Sequence, residues 1–406
     1  MKENNQPQVP SVALVYDKVN TQYGGAEWVL RALHDLFPKA PLFTSLYAPK
    51  NALWASVFKV VPSFLQKLPI KSHKLLLWLF PLAFESLDLS GYDVVISITS
   101  GEAKGVLTKP NQVHLSYVLT PPRYLYTHRS EYIDRHRFFS LPLIRSLIHI
   151  PLHYLQWWDQ AAAYRPDQMI AISKKVQERI HILYARDADL IYPPLPQLPV
   201  VSKKTIDTLS QSRWHLCLSR LVGYKRIDLA VKACVANNST LVIAGEGEEK
   251  RKLVQLAGSK AVLRHGSEEV ISFVTDHTRT QGSILFLSHV TNRERTALLA
   301  AAQSLIMPGL EDFGITALEA ATLGTPSILH AESGVSEVLK NQESAIHIHE
   351  ESVLAVQTAL SQLTTINWRS STLQAQATSC STKVFTSKMN DYVYDSIIRL
   401  KNDSNI

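Results

Sequence analysis

PGLEDFGITALEAATLGT, residues 308–325, sets two carboxylates, Glu311 and Glu319, around an Asp-Phe-Gly loop that opens a short apolar helix. From Phe313 to Leu329 the only charged side chain is Glu319. Leu305-Ile306-Met307 reads as the end of a buried strand, and Gly324 followed by Pro326 stops the helix. A strand, a loop and a helix with glycine at its start present free backbone N–H groups at a positive dipole end, which suits phosphate. A carboxylate in the loop and another one turn into the helix add acceptors for sugar hydroxyls. The plainer alternative is an ordinary βα turn whose acid favours the helix dipole.

Strand and helix alternate on both sides of this segment. In the N-terminal half, Val12–Tyr16 is a short apolar run, a loop carrying Gly24-Gly25 follows, and Ala26–Phe37 lines Val29, Leu30, Leu33, Leu36 and Phe37 on one helical face. Further strand candidates there are Asp93–Ile98, Val113–Leu119, Gln168–Ile172 and Leu190–Tyr192, and Ser173 is a natural N-cap for a helix over Lys174–Tyr184. Pro193–Ser212 has weak periodicity and reads as a linker. A second series then runs through His215–Ser219, Leu241–Ala244, Ala261–Arg264, Ile284–Ser288, Ser304–Met307, Ser327–His330 and Ala345–His349. Short apolar strands alternating with helices indicate parallel sheets covered on both faces. The expectation is an α/β chain of two doubly wound, Rossmann-like domains facing a central cleft, with ligands beyond the carboxyl ends of the strands.

Composition narrows the class. At 406 residues the chain exceeds what one core usually serves, and 46% hydrophobic against 19% charged residues describes a globular protein. Cys217, Cys234 and Cys380 are too few and scattered for a disulfide framework, so a reduced cytoplasmic interior is expected. The N-terminus MKENNQPQVPS lacks the apolar core of a signal peptide, and no run reaches the roughly 18 apolar residues of a membrane span. A net charge of +7 admits anionic partners, but no finger, homeodomain or RNP-like pattern supports nucleic acid. In KLPIKSHKLLLWLFPLAF, residues 67–84, Lys71 and Lys74 stand beside an apolar cluster that includes Trp78. That arrangement suits either a segment in an anionic membrane interface or a core helix with a solvated end.

Two further loops carry chemistry. Arg220-Leu-Val-Gly-Tyr-Lys225-Arg226 places Arg220 and Lys225 at a strand's carboxyl end, where a planar fork and a point charge suit a diphosphate. Gly24 and Gly25 let backbone approach a ligand at another helix start. Ser100, in the polar loop after Asp93–Ile98, and Thr120 and Arg123 in YVLTPPRY stand in further polar loops that follow strands. Other signals fail. Gly245-Glu-Gly247 lacks the third glycine of a dinucleotide fingerprint, because Lys250 stands there. Asp187-Ala188-Asp189 precedes a strand, the wrong end for a ligand, and the pairs His347/His349 and His149/His153 have no third ligand nearby.

Glu311-Asp-Phe-Gly-Ile-Thr-Ala-Leu-Glu319, with Arg220 and Lys225 upstream, resembles the retaining GT-B glycosyltransferases of glycosyltransferase family 4, above all the bacterial mannosyltransferases of surface-polysaccharide synthesis. GGAE, GYDVVIS, LTPPRYLY, SRLVGYKRIDLA, LVIAGEGEE and GTPSILHAESGVSEVL extend that likeness along nearly the whole chain. The resemblance implies a GT-B fold with an acceptor-side domain over residues 1–195, a donor domain over 196–383, and a last helix, about 384–400, returning to the first domain. It also implies Glu311 on the donor sugar and Glu319 on the ribose. Arg220, Lys225 and the backbone of Phe313, Gly314 and Ile315 would take the diphosphate, and Gly24-Gly25 would close on the donor. The implied reaction moves a hexose, mannose from GDP-mannose foremost, onto a glycolipid or polysaccharide at the cytoplasmic membrane face, with no metal or cofactor. A UDP-sugar donor and a non-catalytic sugar-nucleotide-binding scaffold are the alternatives. Leu119 stands where many relatives have His before Thr-Pro, so no general base is assigned.

Overall fold

The computed structural model describes residues 10–21, 24–69, 76–127, 149–266 and 268–403. The chain forms two compact units, one from Met1–Pro194 with Thr382–Ile406 and one from Leu195–Ser381. Among the described residues each unit is built on one seven-stranded sheet.

In the first unit the strands are β1 (Val12–Tyr16), β2 (Leu42–Thr44), β3 (Val60–Pro62), β4 (Val94–Thr99), β5 (Val113–Val118), β6 (Gln168–Ala171) and β7 (Asp189–Leu190), in the order β3-β2-β1-β4-β5-β6-β7. Every pairing is parallel. β1, β4 and β5 are buried along their whole length, as strands are when helices cover both faces; β1 is wholly apolar, while β4 and β5 also bury Ser97, Thr99, His114 and Ser116. Gly25–Leu36 is the first helix, and Ser173 caps Lys174–Tyr184 by accepting from Val176 N. The last helix, Thr382–Asp403, belongs to this unit. It buries Phe385, Met389 and Val393, one turn apart, with Phe385 edge-on to Tyr117 of β5 at 5.8 Å. Tyr392 donates to Asp189 at 2.6 Å, which gives one carboxylate of the D-x-D a partner on that helix.

The second unit holds β8 (His215–Leu218), β9 (Leu241–Ala244), β10 (Ala261–Leu263), β11 (Ile284–Ser288), β12 (Ser304–Met307), β13 (Ser327–His330) and β14 (Ala345–Ile348). Their order is β10-β11-β9-β8-β12-β13-β14, again all parallel. Within the stretch read as a linker, Lys203–Leu209 is helical, capped by Ser202. It buries only Leu209, which is why it lacks a readable apolar stripe.

The strand order reverses between β1 and β4 in the first sheet and between β8 and β12 in the second. At such a switch point the loops leaving neighbouring strands turn to opposite faces and leave a crevice, where open α/β sheets bind their ligands. Both loops with strong sequence signals in the second unit, after β8 and after β12, flank its crevice.

Candidate functional site

In the second unit the loop after β12 comes close against the loop after β8. A Cβ on Gly309 would stand 2.2 Å from the Tyr224 carbonyl oxygen, so only glycine lets the two backbones meet. That approach brings the ammonium of Lys225 onto Glu311 Oε1 in an ion pair that is mostly shielded from water. Lys225 also lies over the Tyr224 ring at 5.3 Å, and Arg220 donates to the Tyr224 hydroxyl at 3.2 Å, so Tyr224 carries both cations. Glu311 is fixed through its backbone: its N–H donates to Ser333 Oγ at 3.0 Å and its carbonyl accepts from Gly334 N at 3.2 Å.

Arg226 holds a left-handed backbone with φ 52, which costs a non-glycine residue energy unless its surroundings fix it. The guanidinium is gripped by Asp228 at 3.2 Å and Glu351 at 2.5 Å, and Glu351 also accepts from Leu310 N at 3.3 Å. Glu351 therefore ties the basic loop to the acidic one. Sequence reasoning missed Tyr224, Arg226 and Glu351. The first two sit beside Lys225, but Glu351 is 125 residues from Arg226 and gives no local signal.

Helix Ile315–Thr322 starts at Gly314, whose φ of 107 turns the chain sharply, and no side chain caps the helix. Its first N–H groups thus keep the arrangement that favours an anion, beside Lys225 and Glu311. Phe313 is buried and Ile315 is half-buried. Glu319 is set apart from this group. It has no exposed surface, its Oε2 accepts from Arg295 Nη2, and its Oε1 has no hydrogen-bond partner. Burial pushes its carboxyl up to about 7 despite the opposing Arg295 charge. The Gly245-Glu-Gly247 turn has a packing role. A Cβ on Gly245 would stand 1.9 Å from Ser219 O, and one on Gly247 2.1 Å from Leu221 O, where the loop after β9 crosses the loop after β8.

In the first unit Gly24 precedes helix Gly25–Leu36 in an extended conformation with no side-chain cap. Glu27, two residues beyond Gly25, is buried and accepts from Tyr16 Oη at 3.1 Å, and burial raises its carboxyl. Ser100 is tied to Asp17, donating through N at 2.6 Å and Oγ at 3.2 Å. Thr120 Oγ donates to Pro121 O at 3.2 Å, Arg123 is half-buried in the following turn, and Leu119 N donates to Thr99 O at 2.8 Å. Lys71 and Lys74 lie outside the described residues. Trp78 is 57% exposed and Leu82 55%, while Leu76, Phe80 and Ala83 of the same segment pack into a buried cluster with Leu46 and Leu65. The segment thus divides between core and surface.

A buried polar network in this unit has no counterpart in the sequence reading. Lys104 is 1% exposed, donates to Gly101 O at 3.0 Å and pairs with Asp159, which also accepts from Tyr126 at 2.8 Å and Tyr184 at 2.7 Å. Among the described residues no group of three His, Cys, Asp or Glu side chains is arranged to hold a metal ion, and no helix is long and apolar enough to cross a membrane.

Comparison with known proteins agrees with the division into units. Residues 207–378, nearly all of the second unit, match the sequence family described as Glycosyl transferases group 1. The chain is 25% identical over 227 residues to Alpha-1,3/1,6-mannosyltransferase ALG2 of Saccharomyces cerevisiae, covering 49% of this chain and 44% of that protein. It is 24% identical over 206 residues to an uncharacterized glycosyltransferase of Methanocaldococcus jannaschii, covering 46% and 48%. In these alignments the chain spans about half the length of the curated relatives it matches. Among solved structures, HepE of Anabaena in complex with UDP and glucose superposes with a TM-score of 0.65 at 15% identity, over 95% of this chain and 100% of that one. The lipopolysaccharide outer core galactosyltransferase WaaB gives 0.59 at 16% identity, over 95% and 99%. At such identities the likeness establishes the fold, which is GT-B.

Proposed function

From a GT-B chain whose residues 207–378 match the group 1 glycosyl transferases, we propose a glycosyltransferase that moves a hexose from a nucleotide sugar with retention of configuration. The observation that carries this reading is the meeting of Lys225, Glu311 and the uncapped start of helix Ile315–Thr322 at the switch point of the second sheet. Arg220, Lys225 and the N–H groups of Phe313, Gly314 and Ile315 take the diphosphate. As the bond from the anomeric carbon breaks, they stabilise the charge that grows on the leaving group, commonly the largest catalytic contribution. Glu311 receives hydroxyls of the donor sugar. Glu319 Oε1, a buried acceptor with no donor of its own, is the atom that a ribose hydroxyl fills. Gly24 and Gly25, at the uncapped start of helix Gly25–Leu36, are further donor-binding candidates.

The donor we favour is GDP-mannose, and the acceptor a glycolipid or growing polysaccharide at the cytoplasmic face of a membrane; no metal takes part. Mannose is supported by the mannosyltransferase among the relatives, and the acceptor class by the resemblance to polysaccharide-assembly enzymes. A UDP-sugar is the second reading, favoured by the UDP bound to the structural neighbour HepE. Trp78 and Leu82, exposed beside a lysine-rich stretch, suit contact with an anionic membrane surface.

Thermal unfolding across GDP-, UDP-, ADP- and dTDP-sugars tests the reading, because a ligand that binds the native state raises its stability by mass action. GDP-mannose should give the largest shift and be hydrolysed slowly without acceptor. Binding without hydrolysis or transfer, across glycolipid acceptors, would leave a sugar-nucleotide-binding scaffold instead.

A further inference from the structure

The crevice of the first sheet, between β1 and β4, is lined differently. Asp17 leaves β1 and is satisfied entirely by donors from the loop after β4. Its Oδ1 accepts from Thr99 Oγ1 at 3.1 Å and Ala103 N at 2.9 Å, and its Oδ2 from Ser100 N at 2.6 Å and Ser100 Oγ at 3.2 Å. Glu102 sits in the middle of that loop and is 5% exposed. The Tyr124 hydroxyl, from the loop after β5, donates to its Oε1. Its Oε2 has no hydrogen-bond partner among the described residues and is not one of the fully buried unpaired atoms, so it keeps contact with solvent.

Among the described residues no cation pairs with this carboxyl. The neighbouring Lys104 turns to Asp159 instead. Four charged or titratable groups face Glu102: Asp17 from the loop after β1, Lys104 from its own loop, Asp159 from helix His149–Ala162, and Tyr124. Burial, then the Asp17 charge, pushes the Glu102 carboxyl up to about 7, with Tyr124 and Lys104 opposing. A latch between two loops would need only Oε1, and glutamine would serve it without the cost of burying an ionisable group.

We propose that Glu102, held by Tyr124 at the switch point of the first sheet, is a binding residue for the sugar acceptor, its Oε2 accepting the hydrogen of an acceptor hydroxyl. This rests on the glycosyltransferase reading and supplies it with an acceptor-side carboxylate. The ligand class is a neutral glycoside, in contrast to the anionic donor of the second unit.

The test uses the full chain and n-octyl α-D-mannopyranoside as probe, titrated calorimetrically at pH 6 and pH 8. Because the ionised carboxylate is the stronger acceptor of a hydroxyl hydrogen, wild type should bind up to about tenfold tighter at pH 8. Glu102→Gln should keep the Tyr124 contact, lose about tenfold in affinity at pH 8 and show no pH dependence. Tyr124→Phe removes a donor to the ionised form, so the midpoint of the pH dependence should move upward. Equal affinity and equal pH dependence in wild type and Glu102→Gln, or no binding of the glycoside by wild type, overturns the site. Nucleotide-sugar turnover by wild type is measured in parallel. Turnover together with an indifferent Glu102→Gln leaves the enzyme reading standing and removes the site; probe binding of the expected form without turnover does the reverse.

Discussion

The two switch points use charge in opposite ways. In the second unit, charges come as ion pairs, Lys225 with Glu311 and Arg226 with Glu351, beside an uncapped helix start. In the first unit, carboxylates are packed against neutral donors. Asp17 is met by hydroxyl and backbone groups, Glu102 by a phenol, and the ammonium of Lys104 is buried against Asp159. Cations with a helix dipole complement an anion. Unmet carboxylate oxygens complement hydroxyls. The same sheet topology therefore offers one crevice suited to a diphosphate and one suited to a neutral sugar.

If that contrast is right, the largest effects of substitution should differ in kind between the units. The side chains of Lys104 and Asp159 are each 2% exposed. Lys104→Met leaves Asp159 buried without its cation and should destabilise the first unit by about 3–5 kcal/mol, read by urea unfolding. Adding Asp159→Asn should recover part of that loss. A cost under about 1 kcal/mol for the single change would mean that the network is not the buried framework described here.

Next in size are the charges of the second unit, where function should be lost. Lys225→Ala and Glu311→Ala should each lower turnover about 100-fold or more, as for other preorganised charge contacts, with the donor as the varied substrate. Unchanged transfer in both variants would end the proposed function. A smaller effect is expected one step out. Glu351→Gln weakens the grip on Arg226 and on Leu310 N, so the two loops hold Lys225 and Glu311 less well, and turnover should fall roughly tenfold. A loss as large as that of Lys225→Ala would instead place Glu351 in contact with the donor.

How far the sequence foretold these features follows the same contrast. Five- and six-residue strands such as β1, β4 and β5 are legible because burial on both faces keeps most of their positions apolar. β2 and β3, three residues each at one edge of the first sheet, are too short to show a period. In the proposed donor site, Arg220, Lys225, Glu311 and Gly314 lie in short segments whose residue types already suit phosphate and sugar. Their partners were not legible: Arg295 is 24 residues from Glu319, and Glu351 is 125 from Arg226. The first unit's network is harder still, since Glu102 meets Tyr124 over 22 residues and Lys104 meets Asp159 over 55. Only the fold brings those groups together. The usable local sign was an acidic residue directly after a buried strand, as Asp17 is after β1.

The smallest predicted effect is a pH dependence that separates the two buried carboxyls. Glu102 and Glu319 are both pushed up to about 7, above the ordinary value of an unfolded glutamate. For an acid raised in this way, folding takes up a proton. The contribution to stability is fully present below the unfolded value near 4.5 and is lost as pH rises through about 7. Urea unfolding of wild type between pH 6 and 8 should therefore show declining stability, with roughly 1 kcal/mol attributable to each group. The two glutamine variants should part company. Glu102→Gln removes an ionisable group that no cation opposes directly, so its unit should gain stability at pH 8 and its pH slope should flatten. Glu319→Gln removes the partner of Arg295, whose side chain is 24% exposed, and so should lose stability across the range even as its slope flattens. Parallel behaviour of the two variants would mean that their cationic surroundings are alike, and the contrast between the crevices would fail.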